Sequence, residues 1–398
     1  MAGLYIHIPF CESRCIYCGF YSTTSLQKRD AYVDALCKEM ELRPLAEALG
    51  DNHSIETIYL GGGTPSQLTG AQLQRIFQAI AKSYATDFEN MEITMECNPD
   101  DVTSSFCNVI RQLPINRISM GAQTFSDERL RFLHRRHQAY EVRQAVENLR
   151  SIGIHNISID LMFGFPNETL KEWEKDIYDA LDLGVEHLSA YSLMYEEGTA
   201  LYRLLEQGKI HEIDEEVSLQ MYETLCEMLK KEGYEHYEIS NFARPGYRSE
   251  HNSNYWKEVP YIGLGAAAHS YKRSSQEIVR SWNIDDIQTY IRTIQTGKLP
   301  SEGETLDLKT RYNDLITTAL RTCEGIDLNQ MVKEFGSSYA DRLLKDAKDK
   351  IERGLMRLTP NESIPGNIEE KKRLGHLSLT SKGIYISDDI MGDFMIVD

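Results

Sequence analysis

Three cysteines crowd into one short stretch of this 398-residue chain, Cys11-Glu12-Ser13-Arg14-Cys15-Ile16-Tyr17-Cys18. Thiolates are soft donors, suited to zinc or to an iron-sulfur cluster. A structural zinc site wants four ligands, commonly as two CxxC pairs, and no fourth cysteine or second pair lies nearby. Three thiolates on a cubane of four irons leave one iron open, and an outside ligand with amino and carboxylate groups would fill it. The CxxxCxxC spacing therefore predicts a 4Fe-4S cluster on Cys11, Cys15 and Cys18. Cys37, Cys97, Cys107, Cys226 and Cys323 are scattered and read as small hydrophobes.

These thiols need a scaffold, and the hydrophobic pattern supplies one. Short β-branched or apolar runs at 4–8, 55–60, 91–95, 117–120, 157–162 and 188–193 alternate with helical patterns at 31–49 (interrupted at Pro44), 71–84, 140–153 and 169–183. Parallel strands need such crossovers, so the expected fold is α/β, an incomplete (β/α)6 TIM-like barrel. Its working loops lie at the C-terminal strand ends, and the cysteines follow the first strand directly. Past residue 195 the pattern gives a helix at 215–231, a strand at 234–239, and a Gly- and aromatic-rich loop region through Tyr271. From Lys309 on, helices at 310–321, 328–335 and 339–352, two short strands and a helix at 381–394 predict a smaller, winged-helix-like terminal domain. The expected divisions are 1–235, 236–300 and 301–398, with a linker at 298–306.

The strand-end motifs resemble the radical S-adenosylmethionine superfamily, and within it the coproporphyrinogen dehydrogenase and heme chaperone (HemW) branch. They are Tyr5-Ile6-His7-Ile8-Pro9-Phe10-Cys11, Gly61-Gly62-Gly63-Thr64-Pro65-Ser66, Glu96-Cys97-Asn98-Pro99, Ser119-Met120-Gly121-Ala122-Gln123 and Asp160-Leu161-Met162-Phe163-Gly164-Phe165-Pro166. The resemblance implies S-adenosylmethionine on the open iron, lined by Tyr5, Tyr17, Gly62, Gly63, Thr64, Glu96, Gln123, Arg135, Asp160 and Met194. Glycines permit close backbone approach, so the amides of the Gly61-Gly62-Gly63 turn are expected at the methionyl end. Glu96 and Asp160 suit ribose hydroxyls or an ammonium group.

Two activities stand open within that branch. The dehydrogenase, which decarboxylates coproporphyrinogen propionates oxidatively, carries a further Cys two residues after the third, where this chain has Phe20. It also has an extension ahead of the first strand, whereas here only Met1-Ala2-Gly3 precede Leu4. Conversely, His251-Asn252-Ser253-Asn254-Tyr255-Trp256 resembles the HNxxYW heme-binding motif of the chaperones. The resemblance thus implies heme as a third cofactor, with His251 as the axial ligand, Asn252, Tyr255 and Trp256 around it, and His269 as second choice. It further implies acceptor hemoproteins as partners, membrane respiratory proteins among them, and a homodimer.

Bulk properties narrow the partners. A net charge of −18 repels a phosphate backbone, so no nucleic-acid partner is expected, even for a winged-helix-like domain. No run approaches the ~18 apolar residues of a membrane span, so no stable membrane anchor is expected. The N-terminus lacks a basic n-region and cleavage site, giving the cytoplasm as the expected location.

Overall fold

The computed structural model describes residues 1–50, 53–274, 277–363 and 367–397. The six predicted strands are β1 (Ala2–Ile8), β2 (Ile55–Gly62), β3 (Glu92–Cys97), β4 (Arg117–Gln123), β5 (Asn156–Phe163) and β6 (His187–Ser192), paired in that order and parallel. The sheet continues at both ends. Beyond β6 come β8 (Asn241–Ala243) and β7 (Glu235–Glu238), antiparallel; on the other side of β1 lie β9 (Tyr261–Leu264), parallel to it, then β10 (His269–Arg273), β11 (Ile278–Asn283) and β12 (Ser301–Thr305), antiparallel.

Successive strand residues face opposite sides, and here the two sides differ sharply. Ile93, Met95, Ile118, Met120, Ile157, Ile159 and Leu188 are fully buried and pack in the main core under the helices. The alternate positions carry Glu92, Thr94 and Glu96, then Arg117, Ser119 and Gly121, then Ser158 and Asp160, then His187, Ser189 and Tyr191. A barrel interior is ordinarily filled by bulky branched side chains. This one is lined with polar groups and keeps a cavity.

The crossover helices start where side chains satisfy their first amides. Thr69 and Gln72 form a reciprocal capping box on Gly70–Tyr84, and Thr169 with Glu172 does the same on Leu170–Asp182. Pro44 ends the first predicted helix, splitting it into Arg29–Leu42 and Leu45–Leu49. Glu39 on the former is fully buried, and it accepts from Arg43 Nε (2.9 Å), Gly265 N (2.8 Å), Asn283 Nδ2 (2.7 Å) and Tyr290 Oη (2.6 Å). That carboxylate ties the sheet extension to the barrel.

Two expectations need correction. The stretch 298–306, read as a linker, contains β12, which pairs with β11 from Val279–Thr305 to Asn283–Ser301. Residues 301–305 therefore belong to the main sheet. Within the presumed loop through Tyr271, Ser249 caps a helix, Glu250–Trp256, by accepting from Asn252 N. The terminal region has its own core, including Tyr312, Ile316, Leu343, Met356, Leu377 and Phe394. Its helices Leu308–Ala319, Leu328–Phe335 and Ser337–Glu352 pack with a sheet in the order β13 (Ile326–Asp327), β15 (His376–Leu379), β14 (Met356–Thr359). The predicted last helix is two, Ser381–Ile384 and Ser387–Phe394. No helix among the described residues is long and apolar enough to cross a membrane.

Candidate functional site

The cysteine loop is held at both ends and in the middle. Cys11 N donates to Thr23 O (3.0 Å) and Thr23 N to Pro9 O (2.7 Å), clamping its entry. Ile16 sits buried among Leu133, Met162, Phe165, Leu193 and Leu201, with Ile16 N donating to Leu133 O (3.2 Å). Cys11, Cys15 and Cys18 are free thiols lining a cavity of about 560 Å³ that reaches down the polar interior. Burial raises the Cys11 and Cys18 thiols, and the Thr64 hydroxyl, 3.5 Å from Cys11 Sγ, pulls Cys11 back. Among the described residues, no three His, Cys, Asp or Glu side chains converge as on a single ion. A cubane makes no such demand, since each thiolate takes its own iron.

The second strand end does different work from that expected. Gly62 N donates to Glu96 Oε2 (3.1 Å), Gly63 N to Ile8 O (2.9 Å) and Thr64 N to Phe10 O (2.8 Å). These amides are spent inside the protein, fixing Glu96 and the strand that leads to the cysteines, and are not offered to a ligand. Glycine is needed for packing: at Gly62, with φ +108°, a Cβ would lie 2.4 Å from the His7 ring, and at Gly63 one would lie 2.8 Å from the Pro9 carbonyl carbon. His7 Nε2 faces Tyr21 O (3.0 Å), so His7 Nδ1 accepts from the Tyr5 hydroxyl (3.0 Å). Tyr5 stacks on Tyr59 behind the cavity wall and is not among its lining residues.

Glu96, Gln123, Arg135 and Asp160 do converge on the cavity, with Tyr17, Gly62, Gly63, Thr64, Asn252 and Met194. Gln123 has φ +66° at a register shift between β4 and β5, a bulge that turns its side chain inward. A Cβ on Gly121 would lie 2.6 Å from Gln123 Nε2 and 3.2 Å from Arg135 Nη2, so that glycine makes room for both. Arg135 donates to Asn98 Oδ1 (2.8 Å), Gly121 O (2.6 Å) and Cys15 Sγ (3.6 Å), while its buried Nε has no partner. Burial pushes the Glu96 carboxyl up to about 7, against hydrogen bonds from Tyr59 and Gly62, and the Asp160 carboxyl up to about 6. A sulfonium or ammonium group beside them would restore their charge. Three soft donors, an orphaned guanidinium nitrogen and two desolvated carboxyls fit a cluster with S-adenosylmethionine across it.

A family model described as the Radical SAM superfamily matches residues 5–180. A Bacillus subtilis (strain 168) protein described as heme chaperone HemW is 33% identical over 99% of this chain and 99% of its own length. This chain belongs to the HemW family. A Lactococcus lactis heme chaperone HemW is 31% identical over 99% of this chain and 97% of its own. Coproporphyrinogen III oxidase (HemN) from Escherichia coli shares the fold, with a TM-score of 0.80 over 99% of this chain and 89% of that one, at 22% identity. The HemW family lies within the radical SAM superfamily, which implies a 4Fe-4S cluster and S-adenosylmethionine.

The HemW-like HNxxYW segment is not an open loop. His251 is 1% exposed on the helix Glu250–Trp256, with Nδ1 2.8 Å from Thr57 Oγ1, Nε2 2.9 Å from Tyr255 Oη, and its ring stacked on Tyr59. Burial lowers it to about 3, so it is neutral. With both nitrogens engaged it does not fit an axial heme ligand in this conformation. Trp256 lies under Arg321 (5.1 Å), and His269 stands on β10 near Trp282; neither lines the cavity. Of the motif, only Asn252 lines the cavity. Asn98 and Ser119 of the strand-end motifs also line the cavity, as do Tyr59, Arg117, Ser158 and Ser189, which were missed from sequence. Their polar alternation with apolar neighbours along β2–β6 was the signal.

Proposed function

We propose that this chain is a heme chaperone that binds heme and passes it to acceptor hemoproteins, membrane respiratory proteins among them. The end-to-end kinship with a protein described as a heme chaperone carries this reading. Cys11, Cys15 and Cys18 hold the 4Fe-4S cluster, and Glu96, Gln123, Arg135 and Asp160 surround S-adenosylmethionine on its open iron. When bound, that pair supplies one-electron chemistry at a water-poor site. The residues named here position it: Glu96 is fixed by Tyr59 and Gly62, and Arg135 is braced against Cys15.

The cavity mouth favours a flat apolar ligand. Phe20 (71% exposed), Met194 (61%) and Tyr191 (41%) all stand on its rim, where water would otherwise cover large hydrophobic side chains. An aromatic ring and a thioether suit a macrocycle face better than they suit solvent. Phe20 also occupies the position where the dehydrogenase pattern has its further cysteine.

The test uses anaerobically reconstituted full-length protein. Titration with hemin should give a Soret band, weakened by Phe20→Ser and Met194→Ser, and heme should transfer to an apo-hemoprotein. Coproporphyrinogen offered with reductant and S-adenosylmethionine should return unchanged. Formation of protoporphyrinogen, or absence of hemin binding, overturns the proposal.

A further inference from the structure

The upper cavity accounts for the cluster loop and the cofactor, but three donors at its floor serve neither. Arg117 opens β4 at the N-terminal end of the barrel, is 1% exposed, and lines the cavity. Its guanidinium makes no hydrogen bond among the described residues, and Nε is buried without a partner. A buried guanidinium with uncommitted donors is costly unless an acceptor meets it. The nearby carboxylates do not meet it. Glu92, whose Oε2 is 4.0 Å from Arg117 Nε, accepts from Glu250 N (2.9 Å) and His251 N (2.9 Å). Asp160 shares the cavity and feels the Arg117 charge, but no hydrogen bond joins the two among the described residues.

Two more donors face the same space. The Asn252 side chain lines the cavity and has no hydrogen-bond partner among the described residues. Ser158 Oγ is 2.7 Å from His187 Nδ1, and His187 Nε2 is 2.7 Å from the Tyr237 hydroxyl, which accepts from Ser249 N (3.3 Å). His187 Nε2 is the acceptor available to the Tyr237 proton, so His187 carries its own proton on Nδ1 and gives it to Ser158. That leaves the Ser158 hydroxyl hydrogen for the cavity. A guanidinium, a carboxamide and a hydroxyl thus present hydrogens together, and the acceptor that suits all three is a planar oxyanion.

We propose that Arg117, Asn252 and Ser158 form a carboxylate-binding subsite at the floor of the barrel, distinct from the cluster and its open iron. The carboxylate belongs to a second molecule, such as a tetrapyrrole bearing propionates, because that of S-adenosylmethionine is expected on the open iron. The subsite stands on its own donors and does not require the heme-carrier reading.

Sodium propionate is the probe and propionamide its neutral match, titrated calorimetrically into the reconstituted full chain. Propionate should bind saturably and propionamide should not. Arg117→Gln should weaken propionate on the order of tenfold or more, and Arg117→Lys should retain part of the affinity. Because Arg117 sits among buried carboxylates, Asn252→Asp provides a variant of a half-buried position that places a negative charge beside the guanidinium; it should weaken propionate while the chain stays folded by circular dichroism. Repeating the titration with saturating S-adenosylmethionine should leave propionate binding undiminished; competition would put the cofactor's own carboxylate in the seat and overturn a subsite distinct from the open iron. Equal binding of propionate and propionamide, no saturable binding, or unchanged affinity in folded Arg117→Gln and Asn252→Asp proteins overturns the subsite.

Discussion

At the scale of single residues, the cavity is governed by charges that burial holds away from their solution states. Glu96 is the clearest, its carboxyl pushed from 4.5 to about 7 first by desolvation. Below pH 4.5 folded and unfolded chains are both protonated there. Between 4.5 and 7 the folded chain holds the proton more tightly, so stability contributed by Glu96 is lost as pH rises through that window. A shift of that size corresponds to roughly 3 kcal/mol. In cofactor-free protein, Glu96→Gln should therefore flatten the fall in melting temperature between pH 4.5 and 7.5; parallel curves for the two proteins would refute the assignment. The three thiols, Thr64, Glu96, Gln123 and Asp160 were legible as cavity residues because their motifs are contiguous. Arg117 and Ser158 were not, because each is one polar residue inside an apolar run, and only the strand's period of two shows that it faces inward. His251 was legible as a motif but not in its surroundings: nothing in the string His251-Asn252 reveals that Thr57 and Tyr255 take both ring nitrogens.

At the scale of elements, the parallel strands were found within a few residues, since their apolar runs are long and separated by capped helices. The additions were harder. β7, β8 and β9 are short, and Glu250–Trp256 is a single amphipathic turn or two announced chiefly by Ser249. β12 reads Ser301-Glu302-Gly303-Glu304-Thr305, with every residue exposed, so its composition says linker while its pairing with β11 makes it a strand. Its glutamates suit an edge that must not recruit another chain. Glu39 is the element-level keystone. Glu39→Ala would strand the Arg43 charge, leave Tyr290 and Gly265 N without their acceptor and take one of two from Asn283 Nδ2. A loss of about 3–5 kcal/mol is expected, read as a lower urea midpoint with early amide exchange in β9 and β11. Exchange unchanged in those strands would show that the extension is held by other means.

At the scale of the whole molecule, two cores meet across a polar seam. Arg321 of the terminal region reaches Glu238 Oε1 at 2.8 Å, Ile239 N donates to Arg321 O at 3.0 Å, and Arg273 meets Glu334 at 2.6 Å. Glu238 is 2% exposed, so Arg321→Ala would leave a buried charge without its cation. That variant should unfold in two calorimetric steps, or with the terminal region exchanging amides first, where the parent unfolds as one. A single transition at the parental midpoint would mean that the seam is not the coupling. Arg321 also lies over Trp256, so the same seam borders the helix that brings Asn252 to the cavity. The existence of two cores could be anticipated from the change in pattern near residue 309; the seam could not, because its partners are some sixty to eighty positions apart in sequence.

The position of β1 gives the chain a timetable. It is the first strand made, yet it lies in the middle of the finished sheet, with Gly3 to Ile6 paired to Tyr261 to Leu264. During synthesis at roughly 5–20 residues per second, its second neighbour is on the order of ten seconds or more behind it. The cysteines that follow β1 therefore emerge long before the strand that carries them is braced on both sides. A cysteine loop carried by a strand braced on both sides exists only once residues 261–264 have been made.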